Sequence, residues 1–162
     1  MQTRRLITVF KQALAALGLA LLLAACGGGG GAQLAPELVG SWNVVEVEIQ
    51  SMVQPCPGEI PRLFGPVKCG TTVVSFNADG TFVSVDSADE RGDPISKRSE
   101  GTWSTGGNTL TRTETLSGPD AANLVPTDPP ALEKSTWSIS ANRLTLTTSY
   151  LFGDVTYRLQ KR

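Results

Sequence analysis

The chain has no histidine among its 162 residues. That absence removes the Ser-His-Asp triad, the Cys-His dyad and His-ligated zinc, and with them most hydrolase mechanisms. Carboxylate-pair chemistry needs no imidazole, but no pair of acids stands out beyond clustering in a loop. The chain is therefore read as a non-enzyme with no catalytic residues, no metal and no cofactor. A basic excess is also missing. The 14 Lys and Arg stand against 15 Asp and Glu, and Arg4, Arg5 and Lys11 fall in the first 25 residues, so 14 minus 3 leaves 11 bases against 15 acids, about −4. That balance offers no field for a phosphate backbone, which excludes nucleic acid as a partner.

No apolar run is long enough to cross a bilayer comfortably. Ala13 to Ala25 follows a basic start and has no charged stop-transfer flank, the pattern of a secretion signal over residues 1–25. At its end Leu23-Ala24-Ala25-Cys26 resembles the lipobox of bacterial lipoproteins, in which small residues fit the signal peptidase and the cysteine thiol takes a diacylglycerol. The resemblance implies lipidation at Cys26 and, because Gly27 rather than aspartate follows, attachment to the outer membrane. An ordinary secretory leader with an incidental Cys26 is the alternative. Residues 26–36 read as the lipidated cysteine and a tether, because the glycines Gly27 to Gly31 cost too much chain entropy to order. Folding is expected to start near Glu37, with 37–162 as one domain around one core. If Cys26 is lipidated, Cys56 and Cys69 remain as one pair in an exported protein, for which a disulfide is the expected state.

After the tether the chain alternates strand and turn signals. Runs rich in Val, Ile, Thr, Phe, Trp or Tyr lie near 41–49, 71–77, 80–86, 99–104, 108–116, 135–140, 143–151 and 154–160. Val155, Tyr157 and Leu159 alternate with Thr156, Arg158 and Gln160, the period a half-buried strand needs. Trp103…Asn108-Thr109-Leu110-Thr111-Arg112-Thr113 is echoed at an offset of 34 by Trp137…Asn142-Arg143-Leu144-Thr145-Leu146-Thr147. The echo predicts one hairpin used twice, with Trp103, Leu110, Trp137, Leu144 and Leu146 inward. Trp42, Phe76, Phe82, Ile139 and Tyr157 are expected to join them. Short links at 77–80, 105–107 and 140–142 alternate with long ones near 50–70, 87–98 and 117–134. An up-and-down meander then has one end closed by tight turns and one carrying long loops.

These features predict an all-β fold, an eight-stranded up-and-down antiparallel barrel. Gly40-Ser41-Trp42, Phe76…Asp79-Gly80-Thr81-Phe82 and Gly101-Thr102-Trp103-Ser104 make it resemble the bacterial lipocalin-like domains. The resemblance implies that Trp42 closes the barrel base under a basic residue of the last strand, Arg158 or Lys161, by a cation–π contact. It also implies a barrel that holds a small apolar or amphipathic molecule.

Candidate ligand contacts are Arg112, Glu114, Phe64 and Tyr157. Arg112 takes the inward position that Leu146 holds in the second hairpin, and an inward charge needs a partner. Glu114, two residues on, is the structural candidate; a ligand carboxylate, as in the similar fatty-acid-binding proteins, is the functional one. Phe64, with Met52, Val53, Ile60 and Leu63, is expected either to lid the cavity or to plug the barrel end. Asp86, Asp89, Glu90 and Asp93 are interrupted by Arg91, Lys97 and Arg98, match no calcium loop, and read with those bases as a solvated, mutually paired surface. The resulting expectation is a lipid-anchored binder facing the periplasm, its tether at the closed base and its mouth turned away from the membrane. The alternative is a filled barrel serving as an envelope interaction module, an assembly factor or inhibitor, whose loops recruit a protein partner.

Overall fold

The computed structural model describes residues 33–60, 67–90 and 93–162. Its strands are β1 (Gly40–Ile49), β2 (Met52–Pro55), β3 (Gly58–Ile60), β4 (Val67–Cys69), β5 (Thr71–Phe76), β6 (Thr81–Glu90), β7 (Asp93–Gly106), β8 (Thr109–Gly118), β9 (Val125–Ser140), β10 (Arg143–Tyr150) and β11 (Gly153–Lys161). Strands β5 to β11 neighbour one another in chain order, β5 pairs with β1, and β11 returns to pair with β1. Eight strands thus close an antiparallel barrel, and β2 lies along β1 as an extra strand. Closure leaves the barrel strands no free edge.

Period-two alternation sorts the side chains. Trp42, Phe76, Phe82, Trp103, Leu110, Leu144 and Leu146 are all buried, and Trp137, Ile139 and Tyr157 pack against them, as the alternation predicts. The echoed segments form the hairpins β7–β8 and β9–β10.

The barrel base is sealed by chain that precedes the first strand. Leu38, in the 3₁₀ turn Pro36–Leu38, is fully buried and Ala35 nearly so. The Trp42 indole N–H donates to the Leu38 carbonyl at 2.8 Å, and the Thr105 amide donates to Gln33 O at 2.7 Å. Packing therefore begins by Gln33 rather than at Glu37. The glycine entropy argument stops at Gly31, and Leu34, Ala35 and Leu38 bring enough apolar surface to order the rest.

The basic residue over Trp42 is Lys161, whose Nζ lies 5.1 Å from the ring centroid. Arg158 faces outward and pairs with both Glu46 and Glu48, so its assignment to the barrel base is corrected. Position parity explains the difference: Lys161 is the cross-strand partner of Trp42, whereas Arg158 opposes Glu46 beyond a bulge in β1.

At the other end the expected long loops are largely strand. The β6–β7 ladder continues to the Glu90–Asp93 pair, and the β8–β9 ladder to Ser117–Val125. These extensions rise past the core with polar residues on both faces, so they lack the apolar alternation that marks a strand. Pro129 and Pro130 fall where the β8–β9 register jumps, leaving their missing N–H groups without a ladder bond to lose. The first link folds as the β1–β2 hairpin and then the β3–β4 hairpin. Cys56 and Cys69, with Cα atoms 5.3 Å apart and 13 positions apart in sequence, are disulfide-bonded across its root. A loop of that length contributes about 3 kcal/mol in the chain-entropy picture.

Candidate functional site

Above the sealed base the barrel is hollow. A cavity of about 490 Å³ opens toward the extended hairpins, within the size range of small-molecule sites. Its floor is apolar, formed by Val44, Val74, Phe82, Leu146 and Leu159. Its walls are polar and charged, so the two ends of the cavity differ in chemistry.

A bulge shapes this upper half. In β8 the register shifts between Glu114 and Leu116, and the facing residue is Gly101. A Cβ on Gly101 would lie 1.9 Å from the Thr113 carbonyl oxygen, so only glycine lets β8 approach this closely. Arg112 and Glu114, two apart in β8 with no register shift between them, both line the cavity.

Arg112 does face inward, yet its partner is Glu133 on β9 and not Glu114. Arg112 and Glu133 are directly opposed in the β8–β9 ladder. Cross-strand neighbours on one face are closer than residues two apart along a strand, which is why the pairing goes sideways. The Arg112 guanidinium also lies 5.8 Å from the Phe82 ring centroid. Glu114 instead meets Lys97 Nζ at 3.7 Å and accepts a hydrogen bond from Thr127 Oγ1 at 3.3 Å.

Around Glu133 a hydrogen-bonded group gathers. Ser135 Oγ donates to it at 3.4 Å and Tyr150 O–H at 3.5 Å, while the buried hydroxyls of Ser135 and Thr148 are 2.7 Å apart. Tyr157 lines the cavity beside Tyr150. Burial, then the neighbouring Tyr150 and Glu133, push its phenol well above the usual tyrosine range. Burial and the Glu133 carboxylate raise Tyr150 in the same direction.

Of the four candidate contacts, Arg112, Glu114 and Tyr157 converge on one cavity. Phe64 lies outside the described residues, as does Cys26. Asp86 lines the cavity; the side chains of Asp89, Glu90 and Asp93 also lie outside the described residues. Sequence reasoning missed Glu133, Lys97 and Tyr150 as wall residues. Counting back by twos from Trp137 reaches Glu133, back from Trp103 reaches Lys97, and forward from Leu146 reaches Tyr150. The signal was present, but the first two sit in stretches whose polarity reads as loop.

The wall can accept and donate hydrogen bonds and can hold charge, and the floor can take an apolar group. Such an arrangement can bind and orient a small molecule. No protein-family model matches the chain, and no curated protein does.

Proposed function

We propose that the chain is a lipid-anchored periplasmic binding protein that holds a small, partly apolar molecule in its barrel. The observation that carries this reading is the 490 Å³ cavity, apolar below and polar above, in a barrel whose base is sealed. A filled barrel would have spent that volume on side chains, as small eight-stranded barrels often do. Among the described residues the only helical element is the turn Pro36–Leu38, so the reading rests on the cavity rather than on membership of the lipocalins.

The anchor belongs to the same proposal. The lipobox-like segment ending at Cys26 predicts a mature protein whose intact mass carries a diacylglycerol on that residue. A Cys26 without acyl mass contradicts it. The outer membrane, the mouth facing away from it and a non-catalytic role are proposed with the anchor.

A direct test uses the neutral fluorophore N-phenyl-1-naphthylamine with the full chain in nanodiscs, subtracting empty nanodiscs. Saturable enhancement is expected. Replacing Ser84 and Ser99, both buried on the cavity wall, with leucine fills the space and should abolish it. Enhancement that survives the filling places the dye elsewhere and removes the support.

One observation favours the interaction-module reading. At the β10–β11 tip Leu151 is fully exposed and Phe152 is 60 % exposed, with Phe152 stacked on Tyr150 at 5.2 Å. Exposed apolar side chains at a hairpin tip suit a protein partner. Cross-linking from position 151 in cells distinguishes it: capture of one defined protein supports this second reading.

A further inference from the structure

The charge around the cavity mouth specifies what kind of molecule fits, granted the binding reading above. Among the described lining residues two are cationic, Lys97 and Arg112, and three are anionic, Asp86, Glu114 and Glu133; 2 minus 3 leaves −1. Arg112 is already engaged, by Glu133 on one side and the Phe82 ring on the other. A ligand carboxylate approaching Arg112 meets Glu133 already on the guanidinium and Glu114 on the same wall.

Lys97 is the other described cation of the lining, and it stands between two acids. On β6 its cross-strand partner is Asp86. On its β8 side, Glu114 Oε2 lies 3.7 Å from Nζ. Lys97 is about half exposed, with 54 % of its side chain accessible, while Glu114 retains 20 %. The lysine can therefore swing into solvent, whereas the Glu114 carboxylate stays with the cavity. The two acids project from strands two positions apart, a separation of about 10 Å between backbones, which one charged group can span from the middle.

We propose that the cavity takes an organic monocation, an amine with an apolar body, whose ammonium displaces Lys97 and sits between Asp86 and Glu114. Its body rests on Phe82, Val74 and Leu146 below. An ammonium supplies donors to both carboxylates, and the partly enclosed mouth strengthens the attraction over its value in bulk water. An anion of the same shape meets the excess acid and loses by the same physics.

The test uses three probes with one phenylalkyl body: 2-phenylethylamine, 2-phenylethanol and 3-phenylpropanoate. Each is titrated by NMR into the full chain in nanodiscs at neutral pH. The amine is expected to bind at least tenfold more tightly than the carboxylate, with the alcohol between. Asp86→Asn together with Glu114→Gln should bring the three within about threefold, and Glu48→Gln on the outer face should change nothing. Urea midpoints of all variants establish that each is folded, and the single variants, each expected to halve the discrimination, serve if the double does not fold. Carboxylate binding equal to or tighter than amine binding overturns the cation assignment and leaves a binding protein. Amine preference that persists without both acids overturns it too. Failure of all three probes to bind removes the binding reading itself.

Discussion

The hairpins β7–β8 and β9–β10 repeat one sequence pattern in one barrel, and their differences mark where core ends and site begins. Both carry a tryptophan in the first strand, and the second strand starts from a leucine that is fully buried, Leu110 or Leu144. Two residues on they diverge. The first hairpin places Arg112, paired with Glu133, where the second places Leu146, 2 % exposed. A charge is tolerated at that level only because β9 supplies its counter-charge across the ladder. The barrel is packed with apolar side chains at one end and lined with charged ones at the other, with the boundary running between consecutive inward positions of the same strand.

The tryptophans differ most in consequence. Trp103 is 3 % exposed, meets Phe76 edge-on at 5.2 Å and donates its indole N–H to Asn77 O at 3.0 Å. Trp137 is only partly buried, and its indole N–H has no partner among the described residues. Trp103→Ala is expected to cost about 3 to 5 kcal/mol and Trp137→Ala less, roughly half, read as urea midpoints at constant m-value. Equal losses would mean that the two hairpins contribute alike.

A second contrast concerns the divergent position itself. Arg112→Leu copies the second hairpin into the first and leaves Glu133 without its cation. Both side chains retain some solvent, so a loss of about 1 to 2 kcal/mol is expected. Adding Glu133→Leu should recover most of it, because both charges are then gone. A double variant no better than the single shows that Arg112 contributes through its contact with Phe82 and not through the pair.

Beside the second hairpin, β11 supplies a titratable group, Tyr157, the cross-strand partner of Leu146. Its raised pKa means the folded state keeps the proton that the unfolded chain releases near pH 10. Stability from this group is complete below pH 10 and falls as pH rises above it, by up to about 1.4 kcal/mol per unit. Comparing unfolding at pH 8 and pH 10.5 in wild type and Tyr157→Phe isolates the effect. An identical pH slope in the two proteins contradicts the assignment.

The smallest contrast lies in the turns. Gly107 at φ +59° and Ala141 at φ +54° occupy equivalent left-handed positions, one with glycine and one without. Nothing stands within 4 Å of a Cβ at Gly107, so backbone strain alone decides. Gly107→Ala should lose about 1 kcal/mol and Ala141→Gly should gain roughly 0.5 to 1. Effects of the same sign would show that the two turns are not equivalent.

How much of this was legible in the sequence follows the same boundary. In the lower half, every inward residue from Trp42 to Leu146 announces itself by apolar alternation, and the turn chemistry at Asn77–Gly80 and Gly106–Asn108 sets strand order. The Cys56–Cys69 pair was equally plain from exclusion of Cys26. Above the core the alternation continues in Ser84, Asp86, Lys97, Ser99 and Glu133, but polar residues on both faces carry no period that hydrophobicity can report. Partner choice was less legible still. Arg112 to Glu133, Glu114 to Lys97 and Lys161 over Trp42 all depend on ladder register, which bulges at Val44/Glu46 and Glu114/Leu116 alter by a residue. The packing of Leu34, Ala35 and Leu38 under the base escaped because three apolar residues after a glycine run show no periodicity.

The central claim, that the hollow upper half exists to hold a small molecule, is tested most directly by native mass spectrometry of the full chain purified from the cells that produce it, without denaturant. The account predicts a single small molecule bound one to one, released on unfolding and missing when Ser84→Leu and Ser99→Leu fill the cavity. A wild-type protein that carries nothing, in preparations that preserve its fold and its disulfide, would contradict it.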